Sequence, residues 1–546
     1  MISPRVGVFV NRRRAQPMLR RVIARAWAAG LGVLVGAAPA HAEPDLEMLA
    51  RLPASSEFVV AAGNLRDVLP TPGWRGTARF LDELGAWSRT AEAWGEIARA
   101  LGLTPDAALD EIVGSQVVFA MRGLDASGGP EHALLCEVSA DTERRLRERL
   151  RPAPRALQQR LPILALENGA FDVSTWIPPA SGGRARLLVT PRGSERFFDD
   201  LLPALRDASP SAALRGTPSL AALGTLPPGA LGVLSRRPGG AASEERYLAA
   251  SIRVDGPAVT AEMLATRDMV LPVRVPGAVL EARAPDAWPS HAADFLAQDA
   301  TLLVVGSPRE QPLDLDADLG GGRVRTTMLL SLLGMLQLPP SLERRIDGVA
   351  LVGVHEIDPS ADAGFAISIA IPARDIEAYA PMADRWGVSL AGDEGLELPP
   401  APLDSVRVLS VAGERSPVLS GLARPGGSIA WTYARAPGTP EGWWVLHIRM
   451  ARGDEARAAE AARALAERLE RPLDARDPGL FRLLIRPARL TTLLRRDRAP
   501  GPDAPSDALR VFRWIDRFES TLWRAEAGLV RGRITLRVSE DALAAP

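Results

Sequence analysis

The side chains best able to do chemistry in this sequence are its histidines and its single cysteine. His132, His291, His355 and His447 lie beyond the N-terminal segment. None is paired with another at the spacing by which a helix or strand offers two ligands to one metal. His355 and His447 stand inside apolar runs, LVGVHEI and WWVLHIR. Each could be a general base or a neutral imidazole satisfied within a strand, and the apolar surroundings favour the second role. Cys136, in HALLCEV, reads as a buried strand residue, and one cysteine excludes an intramolecular disulfide. There is no G-x-S-x-G elbow, no cysteine–histidine arrangement and no phosphate-cradling glycine loop. The sequence therefore assigns no catalytic residue, no cofactor and no metal ligand.

Two short motifs imitate sites. Asp314, Asp316 and Asp318 in DLDADLGGG resemble the opening of a calcium loop, but its closing twelfth position is Arg325. Leucines at 313, 315 and 319 interleave with the acids, which predicts a half-buried strand with a charged outer face. Arg452-Gly453-Asp454 spells an adhesion tripeptide. The matching position earlier in the chain is Ser194, and Ser and Asp share the ability to cap a helix N-terminus.

A third feature is an apolar stripe. Phe80, Leu84, Trp87, Ala91, Trp94, Ala98 and Leu101 recur at heptad-like spacing on one helical face. Core packing explains the stripe. The alternative is an apolar groove lined by Phe80, Leu84, Trp87 and Trp94 for a lipid or a peptide helix.

The elements that would position these residues recur in order. LGLTPDAALDEIVGSQVVFAM (101–121) and LQLPPSLERRIDGVALVGV (336–354) each give a helix end, a proline, a short amphipathic helix, a glycine (Gly114, Gly348) and an apolar strand. RARLLVTPRGSER and WWVLHIRMARGDE share a strand-to-helix pattern, and Pro218-Ser219-Leu220 then falls on Pro478-Gly479-Leu480. Strand pairs SIRVDGPAVTAEML and AGLVRGRITLRVSE close the two series, turning near Gly256 and Gly532. The prediction is α+β: two tandem diverged copies of a module with a mainly antiparallel sheet, the helices packed on one face. The modules span 43–270 and 275–546, with the proline-rich 271–277 as hinge.

Composition sets the class. At 546 residues, with 47% hydrophobic and 24% charged residues, the chain is globular and long enough for more than one core. A net charge of -1 without clustering gives no field for nucleic acid. All 65 basic residues are arginine. Arg20, Arg21 and Arg25, the apolar run 26–38 and Ala40-His41-Ala42 read as a signal peptide over 1–42. Met18 is an alternative start, and general secretion fits better than twin-arginine export. No later segment is predicted to be a transmembrane anchor.

Leu52-Pro53 before EFVVAAGNL, LGLTP, and GSQVVFA resemble an exported bacterial family of unknown function, chiefly over residues 52–150. The resemblance implies export and supplies no functional residues. The expected role is a non-catalytic binding or scaffolding protein of the bacterial cell envelope, periplasmic or extracellular, with an envelope protein or apolar ligand as partner. Alternatives are a periplasmic carrier or sensor of an apolar ligand and a hydrolase with an unrecognised site.

Overall fold

The computed structural model describes, apart from scattered positions, residues 46–63, 116–123, 131–149, 151–152, 163–165, 171–176, 185–191, 213–237, 245–270, 288–307, 314–319, 322–327, 338–343, 345–346, 348–356, 365–393, 395–411, 427–436, 440–449, 455–471, 479–487, 515–525 and 528–539. The chain divides into two compact units, residues 1–259 with 542–546 and residues 260–541. The fold is α+β, mostly antiparallel sheet with a few helices.

The first unit runs α1 (Leu46–Ala50), β1 (Phe58–Ala62), β2 (Val117–Arg122), β3 (Glu131–Val138), α2 (Ala140–Arg149), β4 (Arg151–Pro152), β5 (Ile163–Ala165), β6 (Phe171–Trp176), β7 (Ala185–Pro191), α3 (Pro218–Thr225), β8 (Leu231–Arg237) and β9 (Arg246–Asp255). Its strands hydrogen-bond in the order β5-β6-β7-β3-β2-β1-β8-β9, each of these pairs antiparallel, with β4 beside β5. β1 is buried along its whole length and sits between β2 and β8. After β9 the chain turns at Gly256, whose φ of 58° is open to glycine at little cost.

The division at Val259/Thr260 lies within β10 (Ala258–Thr266), which is followed by α4 (Arg267–Val270), α5 (Ser290–Asp299), β11 (Ala300–Gly306), β12 (Asp314–Leu319), β13 (Gly322–Thr327), α6 (Pro340–Glu343), β14 (Ala350–Glu356), β15 (Phe365–Ala373), α7 (Ile376–Ala391), β16 (Arg407–Ser410), β17 (Ser428–Arg435), β18 (Gly442–Arg449), α8 (Glu455–Leu469), β19 (Gly479–Ile485), β20 (Ile515–Arg524) and β21 (Leu529–Val538). The second unit's strand order is β16-β17-β18-β15-β14-β11-β19-β20-β21, again antiparallel, and β21 also pairs with β10. The first eight strands of this order match the eight of the first unit position for position, β11 taking the place of β1 and β19 that of β8.

Helices cover both faces of the second unit's sheet, not one. Neighbouring strand residues point to opposite faces. Ala430 packs against Ala458 and Ala462 of α8, while the next residue, Trp431, donates its indole N–H to Asp384 of α7. Burial on both sides explains why β11, β17 and β18 are apolar nearly throughout instead of alternating. α8 follows the same logic from the other side: Ala458, Ala462, Leu465, Ala466 and Leu469 recur at helical spacing and are its buried face.

Two expected equivalences change. Pro218 opens the helix α3, whereas Gly479 opens the strand β19, so the proline motifs do not correspond. Proline is tolerated at the first turn of a helix and at the start of a strand alike, so its recurrence does not specify the element. The second closing hairpin turns at Gly528, with φ 79°, and Gly532 lies inside β21. A Cβ there would run into Met263 and Leu522, so close packing and not turning requires that glycine. Gly114, Ser194, Asp454 and the hinge 271–277 lie outside the described residues.

Candidate functional site

The residues with nucleophile–base chemistry meet in one transverse row of the second unit. Gly353 on β14 faces Ser368 on β15, Ser368 faces His447 on β18, and His447 faces Ala430 on β17. All four side-chain positions lie on the face covered by α8. His355, two residues beyond Gly353, shares that face, and its ring lies over the glycine: a Cβ on Gly353 would be 3.1 Å from His355 Nε2 and 3.6 Å from Leu296 of α5. The absence of a side chain at Gly353 is what lets the imidazole fold back beneath α5.

Ser368 Oγ and His447 Nδ1 are 2.9 Å apart, a hydrogen bond whose direction depends on the tautomer. Both residues are buried. Burial pulls the His447 pKa down to about 3, with His355 and Arg449 adding to the depression. Burial also lowers His355 to about 4, opposed by Asp299 and reinforced by Arg486. Both imidazoles are therefore neutral at pH 7. Their Nε2 atoms are buried without a hydrogen-bond partner.

A general base works best with a pKa near the operating pH. His447 is several units too acidic to draw the proton from Ser368, and a serine enclosed beneath helices does not reach a substrate. Proton abstraction at Ser368 is therefore disfavoured on both counts, and the row suits a polar seam within the core.

The opposite face of the same strands carries a second network. Asp384 of α7 accepts hydrogen bonds from Trp431 Nε1 at 2.8 Å and from the Tyr433 hydroxyl at 2.6 Å. Its other oxygen lies 3.0 Å from Arg407 Nη2 of β16. Burial, then Asp384, push the Tyr433 hydroxyl pKa up. Asp384 thus ties α7 to β16 and β17. Gly387, one helical turn later, lets Trp431 approach, since a Cβ there would be 2.9 Å from the indole.

The aspartate run forms the strand expected of it. β12 pairs antiparallel with β13, Asp316 standing opposite Arg325 and Asp318 opposite Arg323 in the register. No group of three or more metal-ligating side chains occurs among the described residues. Cys136 is buried in β3 and its pKa is raised by that burial. The groove residues Phe80, Leu84, Trp87 and Trp94 lie outside the described residues, where only Ala98 of the stripe is placed, buried. No described helix is long and apolar enough to cross a membrane.

Sequence reasoning weighed His355 and His447 separately and missed Ser368 and Gly353. A signal was present: Ser368 is the lone polar residue of the apolar strand β15, and His447 interrupts the apolar run WWVLHI of β18. Comparison with family models, curated proteins and solved structures gives no match.

Proposed function

We propose that the chain is a non-catalytic binding or scaffolding protein of the bacterial cell envelope, exported through residues 1–42 and built from two diverged copies of one antiparallel module. The shared strand order of the two units supports duplication. The positive, apolar and A-x-A segments, with the likeness of residues 52–150 to an exported family, support export.

The observation that carries the non-catalytic reading is the state of the Ser368–His447 pair, buried and with the base depressed to about 3. With this pair held inside the core, the surfaces of the units are what remains to be read for a role, as a binding or scaffolding protein requires. The test has two arms. The mature protein should show no esterase or peptidase turnover that Ser368→Ala abolishes, and should not react with a serine-directed fluorophosphonate. It should also retain defined envelope proteins or lipids when recovered from envelope extract, identified by mass spectrometry. Turnover lost in Ser368→Ala would overturn the reading.

A further inference from the structure

Between α7 and β16 lies a largely exposed stretch that is neither helix nor strand, Leu396–Pro402, sequence LELPPAP. Pro399, Pro400 and Pro402 each fix φ near -65°. Leu398, Pro399 and Ala401 each precede a proline and are driven from the helical region toward extended backbone. Three of the five residues Leu398–Pro402 thus have φ fixed and three have the helical region disfavoured, which biases a stretch that forms neither helix nor strand toward polyproline II.

Both ends are held. Gly392 closes α7 in the left-handed conformation, and the Leu396 N–H donates to Asp393 O at 3.1 Å. At the far end, Ser405 N–H donates to Pro402 O at 3.0 Å, and Leu403 O accepts from Tyr433 N–H of β17. Between these anchors Glu397, Pro399, Pro400, Ala401 and Pro402 are exposed. Leu396 beside them is 38% exposed, one of the few large apolar side chains so displayed among the described residues. The span Asp393–Val406 contains the acids Asp393, Glu394, Glu397 and Asp404 and no basic residue.

We propose that Leu396–Pro402 is a preformed polyproline-II ligand that docks into an aromatic-lined groove with a basic rim on a partner protein. Aromatic grooves grip proline rings, donate to the free carbonyls of this conformation and spend little ordering entropy on a segment already extended. The acids select the basic rim. The inference rests on the binding reading above and gives it a partner class.

The test titrates an isotope-labelled WW domain with lysine or arginine at its groove rim with the full mature chain. Saturable broadening or shifting of the groove tryptophan and tyrosine resonances is expected. Binding should weaken about tenfold or more in Pro399→Ala/Pro402→Ala, and severalfold as salt is raised, because charge attraction at a surface is screened. These positions are exposed, so the variant should keep its circular dichroism and melting temperature. No saturable binding up to millimolar chain, or binding that the double variant leaves unchanged, overturns the proposal. Envelope partners that co-purify equally with the double variant would leave the binding reading standing and remove this segment from it.

Discussion

Arg236 and Arg486 do the same work in the two units. The Arg236 N–H donates to Glu57 O at 2.7 Å and its guanidinium to Ala54 O and Ser56 O, just ahead of β1. The Arg486 N–H donates to Thr301 O at 2.8 Å and its guanidinium to Ala297 O, Gln298 O and Ala300 O, at the end of α5. In each unit the arginine at the end of the strand beside the first one ties down the chain that enters that strand. The environments differ in a way that bears on stability. Arg236 also forms a buried ion pair with Glu245, which accepts from the Ser219 N–H and hydroxyl in the first turn of α3.

That difference predicts unequal losses. Arg486→Met should cost roughly 2–3 kcal/mol, the scale of charged hydrogen bonds to carbonyls. Arg236→Met should cost more, roughly 3–5 kcal/mol, because Glu245 is left as an unpaired buried charge. Adding Glu245→Gln to Arg236→Met should recover part of the loss. Urea unfolding of the single and double variants measures all of these.

The second unit should be acid-labile through its neutral histidines. The unfolded chain takes up protons near pH 6.5, while His355 and His447 in the fold resist protonation down to about 4 and about 3. The unfolded state binds more protons throughout that window, so stability is full above about pH 6.5 and falls as pH drops below it. Each histidine adds a slope of up to about 1.4 kcal/mol per pH unit. Asp299 faces His355 and lessens its share, while Arg486 and Arg449 enlarge the effect. Unfolding free energy measured from pH 7 to pH 4 should lose part of this slope in His447→Asn.

Gly387→Ala should destabilise by roughly 1–3 kcal/mol, because the new methyl meets the Trp431 indole where both α7 and β17 are fixed by Asp384. Gly395→Ala, with nothing within 4 Å of the new atom, is the control and should leave the melting temperature unchanged.

Exported material should begin at Glu43-Pro44 when its N-terminus is sequenced. An intact N-terminus on protein recovered from outside the cytoplasm would contradict cleavage after Ala42.

Local pattern determined the parts of this protein that depend on neighbours along the chain. The apolar runs at 117–121, 350–354 and 365–373 are strands because their composition suits a buried pleated surface, and 455–469 is a helix because its alanines and leucines repeat at helical spacing. The DLDADL strand was legible from its alternation. Short polar turns between strands pointed correctly to antiparallel pairing. Tertiary structure alone decided what depends on register across strands. Ser368 and His447 are separated by 79 residues, and only the β15–β18 ladder makes them partners. Gly353 carries no mark in the sequence that distinguishes a glycine leaving room for an imidazole from one making a turn. Gly532 was misread for the same reason: one residue type answers either to backbone conformation or to a neighbour's volume, and the neighbour, Met263, is brought there by strand pairing. The helices on both faces were hidden likewise, since a strand covered on two sides loses the alternation that would tell which side each helix takes.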